Sequence, residues 1–129
     1  MSLQKPRYVT TTLPYVNSDP HIGFAYEILR ADALARYWRL TGQEVFFNTG
    51  TDEHGQKIAD KADAQGSSRQ AYVDHYAAEF KRLKEGLNLS YDAFIRTTDA
   101  KHKVAAQEMW RRCSDNGDIY KKKYRGLYC

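Results

Sequence analysis

Tyr8-Val9-Thr10-Thr11-Thr12-Leu13-Pro14, running on through Tyr15-Val16-Asn17-Ser18-Asp19-Pro20 into His21-Ile22-Gly23-Phe24, is the stretch whose reading decides the fold. Its first part is β-branched and aromatic, which suits a largely buried strand over residues 8–13, and Pro14 stops it. Asn17, Ser18, Asp19 and Pro20 are loop and helix-start residues. Asp19 is placed as the N-cap and Pro20 as the first helical residue. The helix that follows is expected from His21 to about Thr41, closed by Gly42. Ile22, Ala25, Ile28, Leu29, Ala33 and Tyr37 recur along it at the spacing of one buried face.

Working outward, Glu44-Val45-Phe46-Phe47-Asn48-Thr49 reads as a second strand that ends at Gly50. A strand–helix–strand unit of this kind closes with parallel strands. A short helix is expected over residues 56–65. Ser67-Ser68-Arg69-Gln70 resembles a capping box, with Ser67 as the cap and Gln70 reaching back. The helix it opens carries Tyr72, Tyr76, Phe80, Leu83 and Leu87 on one stripe. Ala93-Phe94-Ile95-Arg96 is a third strand, residues 99–116 a further helix stopped by Gly117, and residues 119–129 a strand or hairpin arm. The fold class is α/β, a parallel sheet with helices on its faces.

The chain has 129 residues, enough for one domain with a real core. Twenty basic against 16 acidic residues give a net charge of +4, which permits a phosphate-bearing partner without showing one. Lys121-Lys122-Lys123 with Arg125 reads as a solvated edge ahead of a nucleic-acid patch. The two cysteines, Cys113 and Cys129, make no disulfide framework, so a cytoplasmic setting is expected. There is no apolar run of a signal peptide or of a membrane-spanning helix.

In open α/β sheets ligands bind beyond the carboxyl ends of the strands, where this loop lies. A helix start there offers free N–H groups and a partial positive charge, which suit phosphates. From the residues alone His21 is a surface cap residue or a donor to a phosphoryl oxygen. Gly23 clears space where a base or ribose could approach the backbone. Asp52 fits two uses equally: a cap for the helix starting near Gly55, or a partner for a substrate ammonium. Leu13 and Tyr15 are core and loop packing, or the wall of a ligand pocket. His54 and Glu53 beside Asp52 fit no usual zinc spacing and belong to the local structure, with His54 near a nucleotide at most.

Leu13-Pro14-Tyr15-Val16-Asn17 followed by His21-Ile22-Gly23 is similar to the HIGH signature of class I aminoacyl-tRNA synthetases, in its methionyl form. The likeness continues through Arg30-Ala31-Asp32 and Tyr37-Trp38-Arg39-Leu40-Thr41-Gly42. It is strong again over Phe47-Asn48-Thr49-Gly50-Thr51-Asp52-Glu53-His54-Gly55-Gln56-Lys57-Ile58. Leu89-Ser90-Tyr91-Asp92 and Tyr124-Arg125-Gly126-Leu127-Tyr128-Cys129 extend it to nearly the whole chain.

The resemblance implies the first half of a Rossmann-like catalytic domain over residues 1–118 and the start of a connective insertion over residues 119–129. It implies ATP, with Mg2+, held by Asn17, His21, Gly23 and Phe24, with His21 catalytic. It implies methionine held by Leu13, Tyr15 and Asp52, the last on the α-amino group, and transfer of the activated amino acid to tRNA(Met). The signature's fourth position, normally His, is Phe24, which cannot donate a hydrogen bond and is expected to pack near the adenine. Cys129 matches the first ligand of the family's zinc knuckle; alone it cannot fill a tetrahedral site, so no zinc is expected in this chain, only in a complete parent. The family's Lys-Met-Ser-Lys-Ser loop has no match, and the chain alone is expected to be inactive. A related nucleotidyl transferase acting on another carboxylate, or a non-catalytic nucleotide- or tRNA-binding module, are the alternatives.

Overall fold

The computed structural model describes residues 5–123. Three strands, β1 (Arg7–Thr10), β2 (Val45–Thr51) and β3 (Ala93–Arg96), form a parallel sheet in that order. The helices are α1 (Ile22–Leu40), α2 (Gln56–Ala64), α3 (Arg69–Gly86) and α4 (Ala100–Asp115). The chain forms two compact units, one up to Asp99 and one from Ala100. The second contributes α4, whose Glu108 holds Arg111 and Arg112 one turn on, and Gly117 with φ +80° follows its end. Residues 119–123 form no strand, and the rest of the expected arm, Cys129 included, lies outside the described residues.

In the first unit, Val9 of β1 sits opposite Phe47 of β2, and both enter a core built with Phe24, Ile28 and Ala35 of α1, Ile58 and Ala62 of α2, and Tyr72, Val73, Ala77 and Phe80 of α3. Three helices therefore share one face of the sheet. Strand alternation puts Tyr8 and Phe46 on the other face, where they stack at 5.8 Å.

β1 is shorter and less buried than its composition suggests: of its four residues only Val9 is buried. It lies at a sheet edge. At Thr11 the chain leaves the ladder, and side chains take over its hydrogen bonds. Thr11 Oγ1 meets Thr49 Oγ1 at 2.7 Å, while the Thr12 amide donates to Glu27 of α1 at 2.7 Å.

The buried face of α1 also differs from the expected one. Phe24, Ile28, Asp32 and Ala35 point inward, whereas Ile22, Leu29 and Tyr37 are exposed. The helix carries apolar residues on two faces, and a buried, neutralised Asp32 marks the inner one. Burial drives the Asp32 carboxyl up, but hydrogen bonds from Ser90 and Arg36 outweigh it and leave the group below its ordinary value. The same inter-element loop is tied twice more, by Arg39 on Asp92 at 2.7 Å and by the Phe47 amide on Asp92 at 2.7 Å. Leu89-Ser90-Tyr91-Asp92 thus locks α1 to the sheet. At its end α1 closes as expected, with Gly42 at φ +79° and its amide on Arg39 O. The cap of α3 is Ser68, one residue later than expected. Its Oγ accepts from Ala71 N at 3.2 Å, and Gln70 donates to Asp74 and does not reach back.

Candidate functional site

The loop between β1 and α1 is fixed from outside. The Asn17 carbonyl accepts from Lys61 Nζ of α2 at 2.6 Å and from the Tyr72 hydroxyl of α3 at 3.2 Å. Helix α1 then starts at Ile22, and its N-cap is His21, not Asp19 with Pro20 following. His21 is extended (φ −107°, ψ 166°), and its Nδ1 accepts from Gly23 N at 3.0 Å. An imidazole that accepts at Nδ1 carries its proton on Nε2 when neutral, so a donor points away from the cap. Of the two uses weighed for His21 the structure shows the cap, and the tautomer it fixes leaves Nε2 as the ring's donor.

Gly23 makes this possible. A Cβ there would lie 2.8 Å from His21 Cε1 and 2.9 Å from Nδ1. The space it leaves open belongs to the imidazole. Gly23→Ala is expected to expel the ring from the cap, costing about 1 kcal/mol of stability. The check is the His21 ring 15N spectrum together with the melting temperature; an unchanged Nδ1 signal would contradict the arrangement.

At the end of β2, the chain pairs back onto the loop. Tyr15 and Asp52 form an isolated parallel bridge, in which Asp52 N donates to Pro14 O at 2.9 Å and Val16 N to Asp52 O at 3.2 Å. Asp52 is half-buried, and its Oδ1 accepts from His54 N at 3.3 Å. It does not cap α2, whose N-cap is Gly55. Glu53 points the other way, with a fully covered side chain gripped by Arg96 through bonds of 2.6 and 2.8 Å. Thr51 Oγ1 adds a third bond at 2.7 Å. Arg96 also holds Asp74 of α3 at 2.6 Å. Glu53's hydrogen bonds, against the opposing effect of burial, hold Arg96 protonated well above the usual arginine value, and the separate hydrogen bond from Arg96 first of all pulls Asp74 below its ordinary range.

Tyr15, 58% exposed, stands between two cavities. One, of about 270 Å³, is lined by Pro14, Tyr15, Asn17, His21, Phe24 and Phe80 among others. The second, of about 340 Å³, is lined by Tyr15, Asn17, His54, Gly55, Lys57 and Ile58 among others. A larger groove between Asp19–Pro20 and α3 contains none of Tyr15, His21 or Asp52.

The sequence profile of the family described as "tRNA synthetases class I (M)" matches residues 7–129. The chain belongs to this family. It is 52% identical to the methionine–tRNA ligase of Mycobacterium bovis over 96% of this chain and 24% of that protein. Against the methionine–tRNA ligase of Clostridium perfringens the identity is 51%, over 98% of this chain and 20% of that one. A solved structure of Mycobacterium tuberculosis methionyl-tRNA synthetase in complex with methionyl-adenylate superposes with a TM-score of 0.88 at 51% identity, covering 91% of this chain and 23% of that one. The chain spans about a quarter of the length of the relatives it matches.

In this class I synthetase chain the fold gathers Tyr15, Asn17, His21 and Phe24 around one cavity and sets Asp52 on the backbone of Tyr15. Leu13 is half-buried and lines neither cavity. Phe24 is chiefly a core residue with one edge on the cavity: its ring is 5% exposed and packs edge-on to Phe80 at 5.2 Å. A phenyl three residues into α1 falls on the same inward stripe as Ile28, which is where apolar surface is removed from water. Sequence reasoning missed Arg96, Thr97 and Asp74. Nothing local marks them, since only the pairing of Thr51 with Arg96 across β2 and β3 brings positions 53 and 96 together.

Proposed function

We propose that this chain is the methionine- and ATP-binding first part of a methionine–tRNA ligase. The parent forms methionyl-adenylate from methionine and ATP, the latter with Mg2+, and passes the aminoacyl group to tRNA(Met). Its setting is the cytoplasm. The observation that carries the reading is the Tyr15–Asp52 bridge, which pairs the backbones of an aromatic and an acidic residue at the sheet's carboxyl edge. The half-identical relative solved with methionyl-adenylate supports it.

In this reading Asp52 pairs with the α-ammonium of methionine, and Leu13 and Tyr15 border its thioether, which favours aromatic edges. His21 donates from Nε2 to the α-phosphate oxygen as negative charge builds there, with Asn17 and Gly23 around the nucleotide. Little covalent chemistry falls to the protein, which aligns the carboxylate with phosphorus and stabilises charge. The described residues do not bring three His, Cys, Asp or Glu side chains together. The tRNA partner needs no membrane; among the described residues no helix is long and apolar enough to cross one. Adenylation requires the phosphate-clamping lysine loop that residues 1–129 lack.

Asp52→Asn is expected to weaken methionine binding by about 1.5–3 kcal/mol, or roughly 10- to 150-fold. A calorimetric titration of methionine into the chain checks it. Equal affinities of the two proteins for methionine would remove the ammonium-binding role.

A further inference from the structure

We propose that Thr97 is a positioning residue that orients the Asp52 carboxylate toward the substrate's ammonium; this rests on the reading of Asp52 just given. Thr97 is 8% exposed and follows directly on β3. Its amide donates to Thr51 O at 3.1 Å, extending the ladder between β2 and β3 by one residue. Its hydroxyl oxygen accepts from the buried Glu53 amide at 2.8 Å. Having accepted there, the hydroxyl must send its own proton elsewhere, and the acceptor in reach is Asp52 Oδ1 at 3.4 Å. That length is long for an O–H···O bond, so the contact orients the carboxylate more than it binds it.

Two donors, the Thr97 hydroxyl and the His54 amide, therefore converge on Oδ1. Among the described residues no donor reaches Oδ2. The carboxylate is held by one oxygen and offers the other. Consecutive residues at a strand end point to opposite sides, so Glu53 turns inward to Arg96 while Asp52, half-buried, turns to the opposite side. Thr97 reads both: it takes the amide of the inward residue and gives its proton to the outward one. The Glu53–Arg96 pair keeps the ends of β2 and β3 in register so that this single hydroxyl spans them.

The test compares methionine with methionine lacking its α-amino group, titrated into the chain and into Thr97→Val, Thr97→Ser and Asp52→Asn. The wild-type chain is expected to prefer methionine. Thr97→Val, which keeps the shape and removes the hydroxyl, is expected to lose about tenfold in affinity for methionine with none for the des-amino compound, and Thr97→Ser to recover it. A merely structural role for Thr97 would weaken both ligands alike and would overturn the proposal. Loss of preference in Asp52→Asn but not in Thr97→Val overturns the Thr97 role alone. A wild-type chain with no preference overturns the reading of Asp52 beneath it. Thr97→Val also strips the Glu53 amide of its acceptor; should it not fold, the unmodified chain decides. There the Thr97 hydroxyl proton must exchange slowly and couple by NMR to the Asp52 carboxylate carbon, and a freely exchanging hydroxyl overturns the proposal.

Discussion

Gly50→Ala is expected to abolish cooperative folding of the chain. Gly50 is buried within β2 and faces Ile95 of β3 across the parallel ladder. A methyl group built on its Cα would lie 1.8 Å from the Ile95 carbonyl oxygen, 2.7 Å from the carbonyl carbon and 2.9 Å from the amide nitrogen. All three are backbone atoms, so no rotamer change relieves the overlap. The strands would have to separate, breaking pairs at the middle of a three-stranded sheet whose central strand carries Phe47, Thr49 and Thr51 of the core. The expected loss exceeds about 4 kcal/mol, which is large beside the 5–15 kcal/mol typical of a whole domain. Urea denaturation followed by circular dichroism provides the check. A variant whose midpoint matches that of the parent chain would show that β2 and β3 do not approach as closely as described.

Arg96→Met should cost about 3–5 kcal/mol, because it leaves the Glu53 carboxylate buried without its counter-charge. Glu53 has no exposed side-chain surface and Arg96 keeps 19%, so water does not replace the guanidinium. What remains on the carboxylate are the hydroxyls of Thr51 and Thr98. The diagnostic is the double variant. Arg96→Met combined with Glu53→Gln removes the charge along with its partner, and is expected to recover a large part of the loss, since a neutral amide in the same pocket is far cheaper to bury. A double variant as unstable as the single one, by chemical denaturation, would place the cost in packing around Arg96 and not in the ion pair. The exposed pairs on α4 offer the contrast: Arg111 with Asp115 is open to water at both ends and contributes little.

Much of this was legible in the residues. The order of strands and helices follows from β-branched runs alternating with helical spacing, and β3 at Ala93–Arg96 stands where the pattern puts it. Gly42 ends α1 because a left-handed turn at that point needs no side chain. The family could be read from two linked segments, around His21 and Asp52, because each lies within a short window of the chain. Boundaries and faces were less legible. β1 looked buried from its composition, but hydrophobicity does not tell an edge strand from a central one. The α1 stripe was misassigned because both sides of that helix carry apolar residues, and local periodicity cannot say which side meets the sheet.

The sequence by itself determined the α/β class, the family, and the position of the loop between β1 and α1, since propensity, turn chemistry and motif spacing are all written within short windows. Only the tertiary structure decided that His21 caps its own helix through Nδ1, that Phe24 is a core residue against Phe80, and that Asp52 and Glu53 part company at the end of β2. The last two depend on partners more than 40 residues away, Phe80 for Phe24 and Arg96 and Thr97 for Glu53. Contacts of that kind are set by strand register and by which surface loses its water, and neither is a property of any short stretch of chain.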